Sequence, residues 1–226
     1  MAGRASIIDY GAGNIRSVEK MLRSLGAQVE VVSTPEQVLA AQRLILPGVG
    51  HFDHGMSELE RRGLVAALDR RVREDRVPFL GICLGAQLIA RGSEEGGRPG
   101  LEWIAADVVA FDRSRMAPGL RVPHMGWTET WISPGAVACG AVPAAFASAF
   151  PEDARFYYVH SFHLSCDDER DAVLRAYHGY EFAAGVIHGN IAGFQFHPEK
   201  SHRYGKAVLD AFLHWRPSET GREGAC

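Results

Sequence analysis

Over residues 6–91 the sequence switches back and forth between short apolar runs and apolar residues spaced three or four apart. That switching constrains the fold more than any other feature. A chain that alternates strands with amphipathic helices buries its strands best in a parallel sheet covered by helices on both faces. Ser6-Ile7-Ile8-Asp9-Tyr10 is β-rich and stops at Gly11-Ala12-Gly13-Asn14. Ile15, Val18, Met21, Leu22 and Leu25 then follow helical spacing, and Gly26 stands where a helix takes its C′ residue. Residues 29–32, 43–46 and 77–82 read as three more strands. Between them, Ser33-Thr34-Pro35-Glu36 starts a helix, with Ser33 as cap and Glu36 three residues on. Residues 56–74 form one long helical pattern, and residues 85–91 a shorter one.

The second half changes character. Residues 93–100 are a polar, Gly-rich loop, and strand-like runs then follow one another at 103–111, 121–132, 155–165, 172–176, 183–188 and 191–195. With few helical patterns between them, these are expected as antiparallel additions to the sheet. A final helix is expected over residues 204–215, and residues 217–226 read as a frayed tail. The expectation is one domain over residues 1–216 with an α/β fold. Its sheet is open and mostly parallel, helices cover both faces, and the antiparallel additions lie in the second half.

Composition narrows the function. Lys+Arg number 24 against 27 Asp+Glu, a net charge of −3, which leaves no electrostatic footprint for nucleic acid or an anionic membrane. No apolar run approaches the roughly 20 residues of a membrane span, and the N-terminus lacks the apolar region of a secretory signal. Cys83, Cys139, Cys166 and Cys226 match no zinc spacing and no disulfide scaffold. A reducing, cytoplasmic setting is expected, with a thiol free to react and neither metal nor cofactor.

The sharpest chemical feature is Gly81-Ile82-Cys83-Leu84-Gly85, where an apolar strand runs straight into a helix. A nucleophile at such a junction, with glycines two positions away on each side, has the pattern of a nucleophile elbow with Cys in place of Ser. The helix N-terminus favours a thiolate, and the amide of Leu84 is placed to donate to an oxyanion. The competing reading is an inert thiol at a strand end. A thiol nucleophile needs a base, and the base needs an orienter. Gln195-Phe196-His197-Pro198-Glu199-Lys200-Ser201 follows a strand and offers both, His197 to take the proton and Glu199 to hold the imidazole. Pro198 stiffens the turn between them. His160 and His163, three apart in a strand-like run, are expected on opposite faces. Pro47-Gly48-Val49-Gly50 is either an ordinary turn or a second wall of an oxyanion hole. Gly11-Ala12-Gly13-Asn14 lacks the third glycine of a dinucleotide loop.

In this order, Pro-Gly-Val-Gly, Gly-Ile-Cys-Leu-Gly-Ala-Gln and Phe-His-Pro-Glu-Lys-Ser resemble the Cys-His-Glu class I glutamine amidotransferase domain, a flavodoxin-like fold. IIDYGAGNIRSV, LPGVGHFDHGM, VPHMGWTE, FYYVHSF and GFQFHPEKS are similar, more closely, to the glutaminase subunits that feed ammonia to a (β/α)8-barrel synthase subunit in histidine biosynthesis. The resemblance implies Cys83, His197 and Glu199 as catalytic. It implies Leu84, Val49 and Gly50 as the oxyanion hole, and Gly48, Gln87, Ser161 and Phe162 as holders of L-glutamine. It implies Asn14, Pro123, Trp127, Tyr157 and Lys200 at the interface with the barrel, in a heterodimer that makes imidazole glycerol phosphate and an aminoimidazole carboxamide ribotide. Trp127 and Tyr157 read equally as core aromatics, and Lys200 as a solvated charge. Thr128 and Ala86 depart from the family's usual Asn and Met. Two other readings stay open, an ammonia supplier for sugar amidination in surface polysaccharides and a stand-alone γ-glutamyl Cys hydrolase.

Overall fold

A computed structural model describes residues 3–217. Five strands make the parallel half of the sheet: β1 (Arg4–Ile8), β2 (Gln28–Val32), β3 (Leu44–Gly48), β4 (Phe79–Cys83) and, from the far end of the chain, β11 (Ile191–Phe194). They pair in the order β2-β1-β3-β4-β11, all parallel. β3 and β4 are buried along their whole length, as strands covered on both faces must be. Helices α1 (Ile15–Ser24), α2 (Pro35–Ala40), α3 (Phe52–Arg61) and α4 (Leu64–Asp69) connect them. A short α5 (Leu84–Gln87) follows β4 without a break. This is the alternation that the sequence pattern predicts.

The antiparallel half continues the same sheet. β6 (His124–Ile132), β7 (Arg155–His160), β9 (Leu174–His178) and β10 (Tyr180–His188) extend it from β11 in the order β10-β9-β6-β7. β5 (Ala106–Ala110) and β8 (Phe162–Cys166) pair with each other, and β8 also joins β10. Two short helices, α6 (Pro134–Ala138) and α7 (Ala144–Ala147), interrupt this half where the sequence pattern shows none. The last helix, α8 (His202–His214), packs on α7, and its C-terminal carbonyl at Phe212 accepts from the buried Arg43 guanidinium at 2.9 Å. Of the expected tail over residues 217–226, only Pro217 is among the described residues; the rest, Cys226 included, lies outside them. Among the described residues no helix is long and apolar enough to cross a membrane.

Several elements differ from expectation, each for a local reason. The pattern over residues 56–74 is not one helix. It breaks at Gly63, whose φ of +66° ends α3, and resumes as α4 and a π turn over Arg70–Glu74. α2 is capped one residue later than expected. The Thr34 side chain accepts from the Gln37 N–H, and Gln37 reaches back to the Thr34 N–H, a complete capping box. The helix expected over residues 85–91 stops at Gln87, because the carbonyls of Leu88 and Ile89 accept from the returning segment at Leu101 and Trp103. The run over residues 155–165 is two strands broken at Ser161, one pairing with β6 and the other with β5 and β10. The break also corrects the expectation for His160 and His163. Instead of facing opposite ways, both rings pack on Phe111, at centroid distances of 5.2 and 5.0 Å.

Candidate active site

β3 and β4 run side by side and end together, so Gly48 lies opposite Cys83. The next sheet neighbour, β11, leads through Gln195 and Phe196 to His197. The C-terminal edge of the parallel half thus gathers Gly48, Cys83 and His197, at the place where open α/β sheets carry their sites. Glycine makes this approach possible. A Cβ on Gly85 would lie 1.8 Å from the Leu46 carbonyl oxygen, and one on Gly48 2.8 Å from the Gly85 nitrogen. Only a bare backbone lets α5 start hard against β3.

Cys83 sits at this turn with φ +53° and ψ −111°, a conformation that costs a non-glycine residue on the order of 1–3 kcal/mol. Its side chain is nearly buried, with the sulfur 3.9 Å from the Val159 carbonyl oxygen and 3.8 Å from Gln195 Nε2. His197 is buried, and its Nδ1 lies 2.9 Å from Glu199 Oε1. Asn14 Nδ2 donates to the same carboxylate oxygen at 3.4 Å, so a residue expected only at the interface also touches this pair. Among the described residues, His197 Nε2 is buried without a hydrogen-bond partner. Burial alone would push the imidazole down. The Cys83 thiol and then the Glu199 carboxylate outweigh it and hold His197 up at about 9.

The loop of His197 is pinned to the antiparallel half. The His197 N–H donates to the Tyr157 carbonyl at 2.9 Å, the Tyr157 N–H to Ser201 Oγ at 3.0 Å, and the Ser201 hydroxyl to the His197 carbonyl at 2.6 Å. Tyr157 therefore holds the His197 backbone, a role its sequence position did not suggest. Beside Cys83 opens a cavity of about 350 Å³, lined among others by Val49, Gly50, Leu84, Gln87, Ser161 and Phe162. The expected oxyanion and glutamine residues thus share one cavity, with Gly48 packed behind it. Gln87 Nε2 donates to the Phe162 carbonyl at 3.1 Å and to Gln195 Oε1 at 3.0 Å.

Sequence reasoning missed Glu95 and His160, which line the same cavity, and placed Pro123 only at the interface although it too lines the wall. Glu95 is held in place by the Phe52 N–H, which donates to it at 2.8 Å. Its signal in the sequence was hidden, since it lies inside the Gly-rich loop of residues 93–100.

Trp127 is 47% exposed, which removes the reading of it as a core aromatic. It stacks on His202, the ring planes parallel and the centroids 5.4 Å apart, and meets Tyr157 edge-on. Lys200 Nζ lies over the Tyr157 ring at 5.5 Å. Trp127, Tyr157 and Lys200 therefore form one surface cluster just behind the His197 loop, while Asn14 reaches the site from the start of α1.

A family model described as glutamine amidotransferase class-I matches residues 6–215. The chain belongs to the class I glutamine amidotransferase family. An imidazole glycerol phosphate synthase subunit HisH of Moorella thermoacetica is 44% identical over 209 residues, 92% of each chain. A HisH 2 subunit of the same synthase from Pseudomonas aeruginosa is 42% identical over 92% of this chain and 97% of its own. Among solved structures, PurLQS from Thermotoga maritima shares the fold at a TM-score of 0.67, with 20% identity, covering 94% of this chain and 98% of that one. As a member of this amidotransferase family, the chain is an enzyme, and its fold is the family's α/β sheet.

Proposed function

We propose that the chain is the glutaminase subunit of an imidazole glycerol phosphate synthase, hydrolysing L-glutamine and passing ammonia to a (β/α)8-barrel partner of the HisF type. The observation that carries the chemistry is the meeting of a strained thiol, Cys83, with a buried His197–Glu199 pair beside a cavity. In this reading the glutamine side chain enters the cavity and its amide carbon meets the Cys83 sulfur. The sulfur attacks with its proton already held on His197, the C–S bond forms, and charge gathers on the amide oxygen. The Leu84 amide and the Val49–Gly50 peptide are the donors for that oxyanion. The C–N bond then breaks as His197 gives its proton to the departing nitrogen, which leaves as ammonia. Water attacks the thioester, His197 takes its proton, and glutamate and free thiol are restored. Glu199 stabilises the imidazolium throughout, in keeping with the raised His197. Gln87, Ser161 and Phe162 hold the backbone end of glutamine, and the Glu95 carboxylate suits its ammonium group.

The relatives named HisH supply the partner. They are subunits, and this chain is similar to them over more than nine-tenths of its length. The surface cluster of Trp127, Tyr157 and Lys200 is the face we assign to the barrel, because it touches the His197 loop directly. The test is glutamine turnover by the chain alone and with a HisF barrel carrying its ribotide ligand. The expected result is slow hydrolysis alone, strong activation in the complex, and loss of both in Cys83→Ala. Full activity without any partner would favour a stand-alone γ-glutamyl hydrolase instead.

A further inference from the structure

Four histidines gather beside the cavity without belonging to the Cys83–His197–Glu199 group. His124, His160, His163 and His178 all pack around Phe111, with ring centroids 5.0–6.3 Å from it. Two of them are linked in line. Thr128 Oγ1 lies 2.7 Å from His124 Nε2, His124 Nδ1 lies 2.9 Å from His160 Nε2, and His160 Nδ1 lies 2.8 Å from the Phe162 carbonyl oxygen. With both rings neutral, one arrangement of protons satisfies all three contacts. The carbonyl can only accept, so His160 carries its proton on Nδ1 and leaves Nε2 as acceptor. His124 must then donate from Nδ1, which leaves its Nε2 to accept from the Thr128 hydroxyl. Burial pushes His124 down to about 4, aided by the neighbouring His178, and pushes His160 well below its ordinary range. Both rings are therefore neutral near pH 7, as this arrangement requires.

The two ends of the line give it meaning. Its start, Thr128, is on β6 next to the exposed Trp127. Its end is the Phe162 carbonyl, which Gln87 also grips, in the cavity wall where β7 breaks into β8. We infer that Thr128, His124 and His160 are positioning residues for glutamine, a directional hydrogen-bond line that fixes the Ser161–Phe162 wall from the strand beside Trp127. The inference rests on the glutaminase reading above and names what holds that site's substrate wall in place. It also gives the Thr128 side chain a task that a merely structural strand residue would not have.

Thr128→Val tests it, because valine keeps the branched shape and removes only the hydroxyl donor. His124 Nε2 then loses the hydroxyl it accepts from and is left buried without that partner, so the ring is no longer anchored at its outer end and its bond to His160 loosens. The readout is covalent labelling of Cys83 by a glutamine-analogue electrophile, with the full chain alone and with the barrel partner bound. Iodoacetamide, which needs no glutamine site, reports thiol reactivity in parallel. The half-saturating analogue concentration is expected to rise about tenfold in Thr128→Val, with the maximal labelling rate and the iodoacetamide rate changed less than about twofold. Thr128→Ser, which keeps the donor, restores the wild-type value, and both variants melt as the wild type does. An unchanged half-saturation in Thr128→Val overturns the inference. So does an equal loss in Thr128→Ser, or a loss that follows the melting temperature. If iodoacetamide labels wild-type Cys83 while the analogue fails in both preparations, the glutamine reading itself falls and takes the inference with it.

Discussion

The two halves of the sheet contribute to the candidate site in different ways. The parallel half supplies the reacting groups at strand ends, and close backbone packing sets the position of Cys83. Gly48, Cys83 and Gly85 lie where β3, β4 and α5 touch, and a single added methyl group would collide with backbone. The antiparallel half supplies the wall, with positions set by hydrogen bonds between side chains and backbone. His160, Gln87 and Ser201 tie Phe162 and the His197 loop in place. Chemistry thus sits on the part that cannot adjust, and substrate contacts on the part that can.

The largest effect separates chemistry from fold in the parallel half. Cys83→Ala should lower glutamine hydrolysis about ten-thousand-fold, measured in the complex with the barrel, at little cost in stability, because alanine keeps the same Cβ at the same strained φ. Gly85→Ala does the reverse and attacks the packing. With its Cβ 1.8 Å from the Leu46 oxygen, it should destabilise the fold by ~3 kcal/mol or more in urea titration. Tolerance of Gly85→Ala would show that α5 and β3 can separate, and would erase the contrast between the halves.

Glu199→Gln should reduce turnover about a hundredfold, because a neutral amide no longer stabilises the imidazolium. The pH dependence of stability follows from the same pair. His197 is raised from 6.5 to about 9 in the fold, so the stability it contributes is complete below pH 6.5 and is lost as pH rises through 9. Melting curves from pH 6 to 10 should show this loss in the wild type. Glu199→Gln should move its upper edge to lower pH. The smallest effect lies in the antiparallel half. Gly135 is within α6, where an added Cβ meets nothing closer than Ser133 Oγ at 3.7 Å. Gly135→Ala should stabilise by ~0.5–1 kcal/mol, a change of opposite sign to Gly85→Ala.

The same contrast explains what the sequence made legible. The parallel half is written locally, in apolar runs, caps and glycines, so its strands, the Cys83 turn and the His197–Glu199 pair could be read from short stretches. Asn14 and Tyr157 were legible as special residues but not in their contacts, since Asn14 meets Glu199 across 185 positions. The wall was hidden for a physical reason. The break at Ser161 is made by different strand partners on either side, and no local signal marks where β7 leaves β6's side and β8 joins β5. The line from Thr128 to Phe162 spans three strands and exists only once they are assembled. The single long helix read over residues 56–74 failed for the opposite reason. Its apolar spacing continues through Gly63, and only the left-handed backbone there shows the break.

The central claim is that Cys83, held at the end of β4, attacks glutamine. Mass spectrometry of the complex, acid-quenched during steady turnover of L-glutamine, tests it most directly. The expected result is a glutamyl adduct on the peptide containing Cys83, absent in Cys83→Ala and gone once glutamine is exhausted. Sustained ammonia release by Cys83→Ala at the wild-type rate, with no adduct in either protein, would contradict it.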